Sequence, residues 1–224
     1  SAGHAAGKKT GKDFAGTASQ QKGLAAAEAL ATKTLESSKG GKDPVVTDAD
    51  VAKCLAELGD EWPTQDRPNV SDKPVKGMML GAVFVLGGVG MAVSNVSEHF
   101  PRLTELITRW VKLGVPSGFP FSSIQINYCY AAKKHVDGNN LGPSYIRALG
   151  EHTGGALWIA DRYVEEAAID PTTGLRMIRA GGGAGELDAR GNWALFNGNE
   201  EHYTTPFQGT RISFIVFSHH AYNK

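Results

Sequence analysis

Three residue positions in this chain can do chemistry together: His135 with Asp137 two places on, His202, and Arg211 with Ser213 two places on. Two imidazoles and one carboxylate can occupy one face of an octahedral iron(II) and leave the opposite face open to ligands that react. In an extended segment, side chains two apart point the same way, so His135 and Asp137 can reach one ion together. His202 lies 67 positions after His135 (202 − 135), so only a fold that returns to the same place makes it the third ligand. Arg211 adds what a bare metal site lacks, a fixed fork of donors for a carboxylate. The combination points to metal-assisted oxidation with a small dicarboxylate as co-substrate.

Zinc accepts the same three ligands, but zinc chemistry does not call for an Arg after the second His. His219 and His220 compete with His202 for the third place. His202 is favoured because it precedes Arg211 by nine residues, in a turn-rich approach to the last strand. Arg211 and Ser213 should face one space while Ile212, Phe214 and Val216 pack on the other side. There the Arg can bind the distal carboxylate of 2-oxoglutarate, and the Ser hydroxyl adds one hydrogen bond. Asn127, Tyr128 and Tyr130, on the strand leading to His135, are read as holding the co-substrate carboxylates or as satisfying the core, with Tyr130 the best of the three. Asn139 and Asn140 read first as turn residues, and second as groups that orient the ligands.

The elements that must position these residues are short strands. Phe121–Ala131, Ser144–Leu149, Ala156–Ala160, Asn192–Phe196 and Thr210–Ser218 are separated by Gly-marked turns, the last being richest in β-branched and aromatic residues. Upstream, Thr47 or Asp48 can cap a helix running to Leu58, and Gly59 can end it. Leu103, Leu106, Ile107, Trp110 and Val111 recur at helical spacing between His99 and Leu113. The uncharged stretch from Gly77 to Ser97 is long enough to raise the question of a membrane span, but Gly87-Gly88 splits it, and two strands joined by a turn fit better. The expected fold is mainly β with flanking helices (α+β), an antiparallel double-stranded β-helix of jelly-roll, cupin-like type.

Residues 1–43 carry seven Lys against four acids, with Phe14 as the sole aromatic, and are expected to be a flexible, low-complexity tail, in which 23–36 can form a helix transiently or against the domain. Residues 44–224 are expected to form one domain. The formal net charge is zero over 224 residues, so nothing pulls the whole chain toward nucleic acid or anionic membrane. Cys54 and Cys129 fit no disulfide framework or zinc spacing, and a reducing, intracellular compartment is the simpler expectation. A chain beginning at Ser1 rather than Met is expected to be a fragment or a processed form.

The ordered set His135-x-Asp137, Gly154-Gly155-x-Leu157, His202, Arg211-x-Ser213 resembles the iron(II)/2-oxoglutarate-dependent dioxygenase superfamily, over roughly residues 119–220. The stretch 122–127 through 135–144 looks like a branch found in algae and other protists, somewhat similar to the TET/JBP nucleobase oxygenases. The resemblance implies a distorted double-stranded β-helix with the metal at its open end. It also implies two-point chelation of the iron by 2-oxoglutarate, and dioxygen-dependent hydroxylation of an organic substrate with release of succinate and carbon dioxide. Asp137 speaks for hydroxylation, since a halogenating relative is expected to lack that carboxylate. Two rivals remain: a metal-binding jelly-roll module without turnover, and an oxygenase of nucleic acid with Lys133-Lys134 at its rim. A departure from the family is the Gly-rich insert between Ala160 and Trp193, read as either a lid or a surface loop.

Overall fold

A computed structural model describes residues 14–37, 44–85, 90–169 and 176–219. The helices are α1 (Ala18–Glu36), α2 (Asp48–Ala56), α3 (Asn95–His99) and α4 (Pro101–Gly114). Among the described residues the strands follow the order β1 (Thr64–Gln65), β2 (Val75–Val85), β3 (Gly90–Val93), β4 (Ser123–Tyr128), β5 (Asn140–Leu149), β6 (His152–Gly154) and β7 (Leu157–Ile159), then β8 (Val164–Ile169), β9 (Arg176–Arg179), β10 (Gly185–Leu187), β11 (Ala194–Phe196), β12 (His202–Thr204), β13 (Phe207–Gly209) and β14 (Ile212–His219). The protein is thus mainly antiparallel β-sheet with few helices, in line with the strand pattern read from the sequence.

The larger sheet runs β1-β2-β4-β14-β5-β11, with β3 on β2, and a smaller one runs β10-β7-β12. β14 is central, paired with β4 on one side and β5 on the other. Its two faces have separate tasks. Ile212, Phe214 and Val216 are buried in the larger core, with Ile124 and Ile126 of β4 and Met78 and Leu80 of β2. Ser213, Ile215, Phe217 and His219 face a cavity of about 750 Å3 that is also lined by Leu157 of β7 and by His202 and Thr204 of β12. The cavity therefore lies between residues of both sheets.

α4 covers the other face of the larger sheet. Its apolar stripe (Leu103, Leu106, Ile107, Trp110, Val111) is buried, and Trp110 meets Phe214 edge to face at 4.7 Å. Pro101 suits its first turn, where no N–H is needed. α2 is closed by a capping box between Thr47 and Asp50. Asp48 ties α2 to the sheet, accepting from Trp110 Nε1 at 2.8 Å and pairing with Arg147. Arg147 lies within reach of the Trp110 and Trp193 rings, at 5.5 and 5.9 Å.

The expectation of a flexible tail through residue 43 does not hold for Ala18–Glu36, where the alternative of a helix against the domain, offered for 23–36, is found. This segment is a capped helix with Gly23, Leu24, Ala27, Ala31 and Leu35 buried. Small residues let it approach α2 and α4 closely, so it docks with little apolar bulk. Glu28 then does for α4 what the uncapped Phe100 cannot: its two carboxylate oxygens accept from the N–H groups of Arg102 (2.9 Å) and Leu103 (2.7 Å). The turn expected at Gly87-Gly88 lies outside the described residues, but the flanking β2 and β3 pair as foreseen. Among the described residues no helix is long and apolar enough to cross a membrane. The insert after Ala160 contains β8, β9 and β10; Asp161 clasps its base, accepting from the N–H groups of Gly181 and Gly183.

A docked α1 makes a test. Leu24→Ala should lower the free energy of unfolding in urea by ~2–5 kcal/mol, the usual range for emptying a buried Leu site. A cost below ~0.5 kcal/mol, typical of surface changes, would mean that α1 does not pack as described.

Candidate metal centre

His135 sits on an extended segment between β4 and β5, outside the named strands. It is held there by a two-bond antiparallel bridge to the first residue of β12: His135 N–H donates to His202 O (3.0 Å), and His202 N–H to His135 O (2.9 Å). Asp137 N–H donates to Gly198 O at 2.7 Å, fixing the segment two residues on. A Cβ on Gly198 would stand 2.7 Å from Asn140 Nδ2 and 3.2 Å from Asp137 Oδ2, so only glycine leaves room for this approach.

The three side chains converge. One ligand atom from each of His135, Asp137 and His202 lies within 4.8 Å of the others. His135 Nε2 is 3.4 Å from Asp137 Oδ1, and His202 Nε2 is 3.7 Å from Asp137 Oδ2. An ion with bonds of about 2.1 Å places neighbouring ligand atoms about 3 Å apart, so small inward movements of the rings complete the set. Both rings are already oriented for it. His135 Nδ1 donates to Lys133 O (2.8 Å) and His202 Nδ1 to Glu200 O (2.7 Å). A carbonyl can only accept, so the proton is on Nδ1 and the Nε2 lone pair faces the site.

The electrostatics agree. Burial pushes the His202 imidazole below its ordinary value, against the opposing influence of Asp137 and of Glu200 O, which keeps it neutral and able to ligate at pH 7. Burial alone would raise the Asp137 carboxyl. The neighbouring His135, His202 and Arg67 outweigh it, so the group is held below the usual carboxylate range. Asn140 Nδ2 also donates to Asp137 Oδ2 (3.3 Å) and to Ser144 Oγ (3.2 Å), making it an orienting residue in addition to its place beside the turn. His219, the rival ligand, is instead stacked on Phe84 (5.6 Å between centroids) in the cavity wall and is not part of the three-residue group. His220 lies outside the described residues.

Arg211 is 2% exposed, one residue before β14. Its Nε and Nη2 are buried without a hydrogen-bond partner. Burial pushes its pKa down to about 10, still a cation at pH 7. The seat is cut for it by Gly155 (φ +76°), where a Cβ would stand 2.7 Å from Arg211 Nε. A buried cation with two idle donors costs free energy unless an anion meets it. Ser213 lines the cavity two residues on; its Oγ accepts from Asn127 Nδ2 (3.3 Å), leaving the hydroxyl hydrogen to donate.

Asn127 and Tyr130 also line the cavity. Tyr130 O–H donates to Asn127 Oδ1 at 3.0 Å, and Gln125 Nε2 reaches the same oxygen at 3.1 Å. Burial raises the Tyr130 pKa, so the phenol keeps its proton. Both residues also bind a group that sequence reasoning missed, Arg67. Its Nη1 donates to Tyr130 Oη (3.1 Å) and Asn127 Oδ1 (3.3 Å). The loop carrying it has no periodicity, and nothing in its local sequence marks it as part of a site. Lys133 and Lys134, considered for a basic rim, pair with Asp72 (2.6 Å) and Glu201 (3.3 Å).

No protein-family model and no curated protein matches the chain. Among solved structures it is similar to a 2OG-Fe(II) oxygenase-family oxidoreductase from Burkholderia pseudomallei, with 16% identity over 87% of this chain and 89% of that one and a TM-score of 0.42. It is also similar to a prolyl-4-hydroxylase from Pseudomonas putida (15% identity, 86% and 98% covered, TM-score 0.36). A third is NgTET1 in complex with 5mC DNA (12% identity, 89% and 90% covered, TM-score 0.36). At TM-scores below 0.5, function rests on the geometry of the site.

Two outcomes test that geometry. His135→Ala and Asp137→Ala should each abolish tight Mn(II) or Fe(II) binding in calorimetry with the circular dichroism spectrum unchanged; full retained binding in either places the metal elsewhere. Arg211→Met, which removes the idle donors and keeps the length, should stabilise the ligand-free protein by ~1–3 kcal/mol in denaturant. Destabilisation of that size would show instead that Arg211 is a structural residue.

Proposed function

We propose that this protein is an iron(II)- and 2-oxoglutarate-dependent oxygenase that hydroxylates an organic substrate, built on a double-stranded β-helix of jelly-roll type. The observation that carries this reading is the pairing of two features: a preorganised His-Asp-His face on the cavity, and a buried Arg211 whose Nε and Nη2 have no partner. Zinc hydrolysis would use the first and has no need of the second. A dicarboxylate chelating the metal at one end and meeting a guanidinium at the other uses both.

His135 Nε2, His202 Nε2 and one Asp137 oxygen would hold the iron. Arg211 and Ser213 would hold the distal carboxylate of 2-oxoglutarate. Bound together with dioxygen, iron and 2-oxoglutarate supply the oxidation of a C–H bond, with conversion of the co-substrate to succinate and carbon dioxide. The chain's own residues supply orientation. The carbonyls of Lys133 and Glu200 lock the ring tautomers, and Asn140 steadies the carboxylate. The apolar walls from Ile146, Leu157, Phe196 and Ile215 limit water around the reacting groups.

Anaerobic addition of iron(II) and 2-oxoglutarate to the metal-free protein should produce a visible charge-transfer band that requires both ligands and is lost in His135→Ala. Arg211→Gln should retain iron but need a higher 2-oxoglutarate concentration, by roughly 10–100-fold for a lost charge-assisted pair. Iron binding without any band would favour a metal-binding module that turns nothing over.

A further inference from the structure

The cavity lining carries the guanidinium of Arg67, whereas Arg211 is not among the lining residues. Arg67 is half-buried in the cavity wall and held by neutral partners through Nη1 alone, Tyr130 Oη and Asn127 Oδ1. Among the described residues no carboxylate lies within ion-pair distance of it. Asp66, the neighbouring acid on the cavity lining, is exposed and makes no pair with it. Two acceptors fix one corner of the fork, so the remaining donors point in a set direction.

Arg67 has one corner of its fork fixed and no ion pair among the described residues, and a carboxylate meets such a fork bidentately. The lining also carries an apolar and aromatic group: Met79 and Val83 of β2, Phe217 of β14, and the stacked pair Phe84 and His219 at an interplanar angle of 7°. Phe84, covered on one face by His219, is still 47% exposed. A cavity of about 750 Å3 has room for a second small molecule beside the co-substrate.

Resting on the oxygenase reading above, we propose that Arg67 is the specificity residue of this site and takes the carboxylate of a small prime substrate whose body is apolar. Arg211, the deeper of the two and the one with buried idle donors, keeps the co-substrate. Tyr130 and Asn127 are then positioning residues, acting through Arg67.

Sodium benzoate and benzamide are the probes, two molecules of one shape that differ in charge. Protein loaded anaerobically with iron(II) and 2-oxoglutarate, its visible band confirmed, is dialysed to equilibrium against each. The wild type should retain benzoate at least roughly tenfold better than benzamide, and Arg67→Gln should lose that preference while its band still saturates in the wild-type range of 2-oxoglutarate. Equal retention of the two probes by the wild type overturns the proposal without any variant. A preference that survives Arg67→Gln overturns it too, as does a raised 2-oxoglutarate requirement in that variant, which assigns Arg67 to the co-substrate. Absence of the band in the wild type is seen before any probe is added; it refutes the oxygenase reading, and this proposal with it.

Discussion

Two backbone hydrogen bonds between His135 and His202 hold the candidate centre together. The residues they join are far apart in the chain, and neither lies in the larger sheet. Each ring is then oriented by a carbonyl two residues from it, Lys133 for one and Glu200 for the other, so the same local bend is used twice. The bridge brings the backbones to one place, and the carbonyls turn the lone pairs inward. Neither would suffice alone, because a bridge without the carbonyls leaves the tautomer undetermined, and oriented rings on separate segments share no ion.

The larger sheet contributes by having two faces with incompatible demands. β14 alternates between a core of Ile212, Phe214 and Val216 and a cavity of Ser213, Ile215 and Phe217, so a slip of one residue would exchange them. Six paired residues on β4 and seven on β5 resist such a slip. Packing by α4 on the first face therefore also sets which residues look into the site. α1 extends the chain of dependence, since Glu28 satisfies the first N–H groups of α4.

Much of this was legible in the sequence. His135, Asp137 and His202 were readable because few residue types bind such an ion, and because the period-two rule places the first pair on one side. Ser213 was readable as a cavity residue from the strand's alternation, whereas Arg211, expected to share that space, lies one residue before β14 and is not on the lining. α1 was legible only in part: a helix over 23–36 was offered as an alternative, but its buried positions are mostly Ala and Gly, and the segment's composition matches that of a solvated tail. Arg67 was not, since its place beside Tyr130 depends on the path of an irregular loop across β4, sixty-three residues away in the chain. Asn140 was named beside Asp137, but spacing alone could not say whether its side chain turned toward the ligand or away.

Several residues at or beside the site fit the fold poorly. Arg211 is buried with idle donors, Gly155 takes a left-handed conformation to make its seat, and Phe84 leaves a ring half in water. Each is a cost that packing elsewhere must offset, and natural folds keep such costs mainly where a ligand removes them. On the oxygenase reading, an anion on Arg211 would satisfy donors that have no partner among the described residues, and its binding would raise folding stability through that one side chain.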